Sequence, residues 1–203
     1  MAEDPVGSLV RRVRTPVDRG VLMPTSLLAQ WPFILDLLAR HGPLGRVLDV
    51  GPGTGKAPVL IRDDGRLTFD RIDALEAYQG YIEEWSLRAL YRAAAGGTVM
   101  CGRFEDQPAE RLCAYDTILM IDVLEHMDKG AALAALGKTR GQVVICTPVD
   151  FAEAWAPGMP VTEHHVSLWR PAELELLGRW MSYSIKNRGW LIRLGPVGEH
   201  DGW

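Results

Sequence analysis

The chain has 203 residues, which is enough for one domain, or for one domain with an appended arm, because a single hydrophobic core serves chains of this size. Hydrophobic residues make up 47% and charged residues 24%, which excludes the disordered and collagen-like classes. The formal net charge of −4 disfavours non-specific binding to nucleic acid or to anionic membranes, so we expect neither partner.

The cysteines indicate a reducing compartment. Cys101, Cys113 and Cys146 are widely spaced and form no C-x-x-C pair, which favours neither a disulfide framework nor a zinc knuckle, and we assign no metal ligands. No apolar run approaches the roughly 18 to 20 residues of a membrane span, and the N-terminal residues lack the apolar core of a signal peptide. We therefore expect a cytoplasmic protein.

The first 24 residues differ from the rest of the chain. They contain three prolines and the basic cluster Arg11, Arg12 and Arg14, with no sustained periodicity, which predicts an N-terminal arm. Residues 25–203 are then a single domain. From residue 25 apolar side chains recur at helical spacing as far as Gly42, which predicts a helix bent at Pro32.

Strands and helices alternate through the middle of the chain. Short apolar runs predict buried strands at residues 46–50, 71–75, 98–101, 115–121 and 142–146, with helices at 81–95 and 129–136. A helix at 171–181 and two strands at 182–185 and 190–194 complete the pattern. The predicted fold is α/β, a doubly wound and mostly parallel seven-stranded sheet with helices on both faces and a C-terminal antiparallel hairpin.

A glycine-rich loop follows the first predicted strand, in the stretch VLDVGPGTGK. A phosphate-binding P-loop needs an earlier glycine and a hydroxyl residue after Lys56, and the chain has neither. A dinucleotide fingerprint needs a glycine or alanine at the position of Lys56. The remaining pattern is [DE]-x-G-x-G-x-G, whose glycines let a ligand approach the backbone closely.

This stretch resembles the first motif of the class I S-adenosylmethionine-dependent methyltransferases, of the small-molecule type without an inserted lid domain. The resemblance implies S-adenosylmethionine as cofactor. It also implies that the backbone of Gly51, Pro52, Gly53 and Gly55 packs against the methionine and ribose parts of the cofactor. Asp49 would orient the loop, or would bind the cofactor's amino group through water.

The end of the second predicted strand supplies an acidic residue, as it does in the same family. Glu76, followed by Ala77, would accept both ribose hydroxyls of the adenosyl group. After the third strand the family commonly shows Gly-Asp-Ala, whereas this chain has Arg103 at the aspartate position. Phe104 and Glu105 are the substitutes that we assign to the adenine ring, with Asp106 as an alternative to Glu105.

The fourth strand and its exit, YDTILMIDVLEH, resemble the F-D-x-V-x-x-x-x-V-L-E-H stretch of many small-molecule methyltransferases. The resemblance implies a contact between the backbone of Asp122 and the cofactor. His126, at the end of this stretch, is a candidate catalytic residue whose other interpretation is a cap of the local turn.

The segment EHHVSLWRPAEL resembles the E-H-x-S-x-W-[ST]-P-E-[ED]-[LF] segment of one branch of these enzymes, in which the loop after the fifth strand borders the substrate. His165 aligns with the histidine of that branch. An imidazole titrates near neutral pH, so His165 could act as a general base or orient the substrate, and the structural alternative is that it anchors the loop.

Two classes of function fit these motifs. The first is an enzyme that transfers a methyl group to a small-molecule nucleophile such as a sugar or a secondary metabolite. The second is a non-catalytic module that binds S-adenosylmethionine and regulates or scaffolds a partner. The two histidines and two tryptophans between residues 149 and 169 resemble an acceptor pocket, which favours the enzyme.

Overall fold

A computed structural model of the chain describes residues 30–149, 161, 164–170, 172–173, 180–185 and 188–193. The arm predicted over residues 1–24 lies outside this part of the chain, as does most of the segment between residues 150 and 163. Within the described residues, no helix combines the length and the apolar character that crossing a membrane requires.

Helices and strands alternate along the described chain. The helices are α1 (Trp31–Arg40), α2 (Lys56–Asp64), α3 (Gln79–Glu84), α4 (Leu87–Ala95), α5 (Ala109–Leu112) and α6 (Lys129–Leu136), with a 3-10 turn at Leu124–His126. The strands are β1 (Arg46–Val50), β2 (Arg71–Glu76), β3 (Val99–Cys101), β4 (Thr117–Ile121), β5 (Gln142–Val149), β6 (Trp180–Ile185) and β7 (Arg188–Arg193).

Five of the strands form a parallel sheet in the order β3-β2-β1-β4-β5, which confirms the predicted α/β class. β1 pairs with β2 on one side and with β4 on the other. The chain therefore reverses its direction of winding between β1 and β4. In open parallel sheets, ligands bind beyond the carboxyl ends of the strands at such a switch point.

The backbone of the last two strands lies beyond β5. β7 pairs with β5 in antiparallel register, with Thr147 opposite Leu191, and β6 pairs with β7, with Ser182 opposite Leu191. β6 begins at Trp180, so Trp180 and Met181 belong to a strand and not to the helix predicted over residues 171–181.

Two predicted helices differ from the observed ones. α1 begins at Trp31 and carries Pro32 in its first turn, where the missing N–H has no intrahelical partner to lose, so Pro32 starts the helix rather than bending it. The helix predicted over residues 81–95 is two helices, α3 and α4. Ser86 separates them in the left-handed conformation, with φ of 52°. Sequence periodicity continues across this break and therefore does not reveal it.

The core lies on both faces of the sheet because successive side chains of a strand point to opposite sides. Val47 of β1 packs with the buried side chains of α1 to α4. Leu48 and Val50 pack in a second cluster with α6, the 3-10 turn and Trp169. Asp49 lies on the Val47 side of the strand, facing α4. Because side chains alternate along β1, Asp49, the acidic residue of the first motif, lies on this side of the sheet, directly before the loop of residues 51–55.

Candidate functional site

Residues 51–55, which we call the glycine loop, connect β1 to α2. Their backbone angles and close packing require glycine at three positions. Gly51, Gly53 and Gly55 have φ of 61°, 52° and 74°, a region that disfavours any side chain. A Cβ at Gly51 would lie 2.7 Å from Val123 Cγ2, and one at Gly55 would lie 2.3 Å from Leu90 Cδ2. The first and third glycines therefore allow close packing against the chain after β4 and against α4.

Gly53 has a different environment. A Cβ built there would meet no atom of the described residues within 4 Å, so the described part of the chain leaves this face of the loop uncovered. The Gly51 N–H donates to the Leu75 carbonyl at 2.9 Å, and the Gly55 N–H donates to the Pro52 carbonyl at 2.9 Å. The first bond ties the loop to β2, and the second closes a turn within the loop. The arrangement can receive a ligand in close contact with the backbone at Gly53.

Asp49 lies beneath the loop and is buried. The Tyr91 hydroxyl of α4 donates a hydrogen bond to Asp49 Oδ2. Burial raises the pKa of Asp49 to about 7, the Tyr91 hydrogen bond opposes this shift, and the negative charge of Glu76 adds to it. Asp49 is therefore partly protonated near neutral pH. Tyr91 was not singled out from the sequence, where it reads only as an apolar helix position.

Glu76 ends β2 and is held in one orientation. It is 5% exposed, and its Oε1 accepts the Tyr78 backbone N–H at 2.8 Å. Its backbone carbonyl accepts the Gly102 N–H at 2.9 Å, which ties the end of β2 to the turn after β3. Ala77 follows at an exposed position. The carboxylate predicted to bind the ribose thus stands at the same edge of the sheet as the glycine loop.

The turn after β3 holds the residues assigned to the adenine ring. Phe104 is 2% exposed and packs in the same core cluster as Leu75. Arg103 forms an ion pair with Glu105, and the Lys138 ammonium donates to the Glu105 carbonyl oxygen at 3.1 Å. The positive charge of Arg103, which replaces the family's aspartate, is therefore paired with the carboxylate of Glu105.

Asp122 follows β4 and is one of two non-glycine residues with positive φ among the described residues, at 55°. Its N–H donates to the Cys146 carbonyl at 2.6 Å, and its Oδ2 accepts from Gln30 Nε2 at 2.8 Å. Lys56, directly after the glycine loop, is 8% exposed. Burial lowers the pKa of Lys56 while the attraction of Asp122 opposes that shift. The sequence did not identify Gln30 and Lys56 as neighbours of Asp122.

Three further side chains come together after β4. Glu125 and His126 belong to the 3-10 turn after β4, and His165 comes from the segment after β5. One donor atom from each lies within 4.8 Å of the other two, and the two imidazole rings meet edge to face with centroids 4.8 Å apart. The structure thus brings together the two histidines that the sequence singled out. Glu125, which is 3% exposed, was not among the predicted site residues.

The neighbours of this cluster orient it. The Thr147 hydroxyl donates to Glu125 Oε2 at 2.9 Å, and His126 Nδ1 lies 3.2 Å from the His164 carbonyl oxygen. The backbone N–H groups of Val166 and Ser167 donate to the Glu125 carbonyl at 2.8 and 3.1 Å. His165 is therefore held against the 3-10 turn by the residues on both sides of it.

Trp169 secures the same segment at its far end. The residue is 1% exposed, and its indole N–H donates to the Leu124 carbonyl at 3.0 Å. The Ser167 hydroxyl donates to the same carbonyl, also at 3.0 Å. The tryptophan fills the core below the loop while its polar edge is satisfied, which gives residues 164–169 a fixed course past the cluster.

The fold is α/β, and the candidate site lies at the carboxyl edge of its parallel sheet. A family model described as "Methyltransferase domain" matches residues 26–180, which is more than half of the chain. The chain therefore belongs to that family, and the class I methyltransferase resemblance of its motifs is confirmed. No curated protein sequence matches the chain at a significant level.

Solved structures of low sequence identity share the fold. The N-terminal domain of EvdMO1 with SAH bound matches at 12% identity and a TM-score of 0.61, over 89% of this chain and 84% of that one. Magnesium protoporphyrin IX methyltransferase from Synechocystis PCC 6803 with bound SAM matches at 13% and 0.59, over 94% and 91%. The methyltransferase domain of bacterial CtHen1-C matches at 18% and 0.57, over 83% and 99%.

Proposed function

We propose that this chain is an S-adenosylmethionine-dependent methyltransferase that acts on a small-molecule nucleophile such as a sugar or a secondary metabolite. The observation that carries the proposal is the shared edge of the sheet. There the glycine loop, the Glu76 carboxylate and the Glu125–His126–His165 cluster follow neighbouring strands. A cofactor site and an acceptor site beside each other are what a transfer reaction requires.

The residues at this edge fit the cofactor. The open face at Gly53 admits a ligand to the backbone, and the oriented carboxylate of Glu76 can accept two hydroxyl hydrogen bonds. We assign cofactor binding to Asp49, Gly51, Pro52, Gly53, Gly55, Glu76, Ala77, Phe104, Glu105 and Asp122. Asp49 acts from beneath the loop by orienting it, since it is buried against Tyr91.

The acceptor side rests on the histidines. When bound, S-adenosylmethionine supplies a methyl group that its sulfonium already activates for transfer to a nucleophile. The chain's task is then to align the acceptor, which can account for about 7 to 11 kcal/mol of a barrier. A hydroxyl acceptor must also lose its proton. The His126 N–H donates to the carbonyl of Val123, whose side chain lies against Gly51, and the His126 ring contacts that of His165. We assign His126 and His165 to orient the hydroxyl, so that its proton can leave as the methyl group is transferred.

We further propose that residues 25–203 form one domain and that its complete sheet has seven strands, ending in the β6–β7 hairpin. The family match over residues 26–180 supports the single domain. The antiparallel pairing of β7 with β5 and of β6 with β7 supports the seven-stranded form.

Calorimetry with S-adenosylmethionine tests the cofactor site. The wild-type protein should bind one molecule, and Glu76→Ala should weaken binding by about 1.5 to 3 kcal/mol, the range for hydrogen bonds to a charged group. Glu84→Ala, the same change at an exposed position of α3, is the matched control and should bind like wild type. Undiminished binding by Glu76→Ala would remove that residue from the site.

A further inference from the structure

We propose that Glu125, His126 and His165 bind one divalent transition-metal ion, and that this ion holds the oxygen of the methyl acceptor. Ion binding itself stands on the geometry of the three side chains, whereas the role of the ion rests on the proposed function. Two imidazoles and one carboxylate present donor atoms that lie within 4.8 Å of one another. This juxtaposition departs from the sequence-based expectation that the chain carries no metal ligands.

The donor set suits such an ion. Two imidazole nitrogens and one carboxylate oxygen ligate Zn²⁺, Fe²⁺ and related ions in proteins, and three protein ligands leave coordination positions for a substrate. Ligand atoms on one ion at about 2.1 Å lie roughly 3 to 3.5 Å apart in neighbouring positions. Small side-chain rotations therefore convert the observed spacing into a coordination shell.

The hydrogen bonds around the cluster are those that orient metal ligands. The His164 carbonyl can only accept, so His126 Nδ1 carries the proton, and a neutral ring then has its lone pair on Nε2. A ligating histidine commonly donates its other N–H to a backbone carbonyl in this way. Glu125 is oriented in turn by the Thr147 hydroxyl. Two of the three ligands therefore have an outer partner that fixes their direction.

The backbone preorganises the third ligand. Val166 and Ser167 donate their N–H groups to the carbonyl of Glu125, so the residue before them, His165, cannot move far from that ligand. The arrangement could not be predicted from the sequence, because His165 lies on a different loop from Glu125 and His126. The sequence has no C-x-x-C or H-x-x-x-H spacing that would indicate a metal site.

The position of the Glu125–His126–His165 cluster would let the ion hold the methyl acceptor near the cofactor. Val123, two residues before Glu125, lies against Gly51 of the glycine loop, so an acceptor on the ion would lie near the cofactor site. A divalent ion lowers the pKa of a coordinated hydroxyl, and the proton leaves to water. The oxygen's electron pair then forms the bond to the methyl carbon, and the carbon–sulfur pair stays with sulfur, which becomes a neutral thioether. His165 would hold the ion in this reaction rather than take the proton.

Co²⁺ alone is a suitable probe because its visible absorption reports nitrogen and oxygen coordination. We expect chelator-treated protein to bind one Co²⁺ per chain in calorimetry and to develop a visible ligand-field band. Glu125→Gln and His165→Ala should each raise the Kd more than tenfold, and Thr147→Val should raise it by about 10- to 100-fold as the loss of an outer partner. His41→Ala, at the end of α1, is the control and should bind like wild type.

Cofactor binding separates this proposal from the proposed function. Each variant is first titrated with S-adenosylhomocysteine, which also shows that it is folded. Normal binding of that ligand, with no Co²⁺ binding or with Co²⁺ binding unchanged by Glu125→Gln and His165→Ala, would overturn the metal site and leave the methyltransferase proposal standing. Failure of wild type to bind S-adenosylhomocysteine, with the Co²⁺ results as expected, would overturn the function and keep the site.

Discussion

The buried pair of Asp49 and Tyr91 predicts an unusual dependence of stability on pH. The pKa of Asp49 is about 7 in the folded protein against 3.8 for the exposed group. Between these values the folded chain binds more protons at this site than the unfolded chain does, so stability falls as the pH rises through this window. Below about pH 3.8 both states are protonated, and the penalty vanishes.

Asp49→Asn removes this titration while keeping an oxygen that can accept the Tyr91 hydroxyl. At about 1.36 kcal/mol for each pKa unit, the full shift corresponds to roughly 4 kcal/mol, of which roughly 2 to 3 kcal/mol develops between pH 5 and pH 8. Wild type should therefore lose roughly 2 to 3 kcal/mol relative to Asp49→Asn between these two pH values.

Urea unfolding of both proteins at pH 5 and pH 8 measures this difference directly. Titrating groups that do not interact with Asp49 are common to the two chains and cancel in the comparison. Parallel stability profiles for wild type and Asp49→Asn would show that the Asp49 carboxyl is not protonated in the folded protein, and would refute the reasoning.

Three further changes test the loops. Gly53→Ala should unfold with about 1 to 2 kcal/mol less stability, the cost of a left-handed side chain, and should lose S-adenosylmethionine binding in calorimetry because its methyl enters the open face; retained binding would contradict the assignment of this face. Trp169→Phe removes the indole hydrogen bond to Leu124 and should lower the free energy of unfolding by about 1 kcal/mol, and an unchanged midpoint would show that the bond contributes nothing. His165→Asn should lower turnover far more than it weakens cofactor binding, and a fully active variant would leave His165 as a loop anchor.

The parts of the site that could be predicted from the sequence are those that a local pattern encodes. Three glycines in five residues after an apolar run specify a turn with positive φ, and the observed angles at Gly51, Gly53 and Gly55 agree. The acidic residue at the end of the second run is Glu76, which the parallel register places at the same edge of the sheet. Local periodicity also gave α6 its observed bounds.

Contacts between distant segments could not be predicted in this way. Tyr91 meets Asp49 across 42 positions, and Gln30 meets Asp122 across 92. Each pair depends on how a helix packs against the sheet. The spacing of residues along the sequence does not predict this packing. The convergence of His126 with His165 is of the same kind, since it follows from the hydrogen bonds of residues 164–169 to the 3-10 turn.

Methyl transfer itself tests the central claim most directly. Purified protein, isotope-labelled S-adenosylmethionine and a small-molecule extract of cells should yield labelled low-molecular-weight products. Glu76→Ala and His165→Ala should reduce the yield strongly, and Glu84→Ala should not. If the cofactor binds and no label appears in any small molecule, the chain is a binding module rather than the enzyme proposed for it.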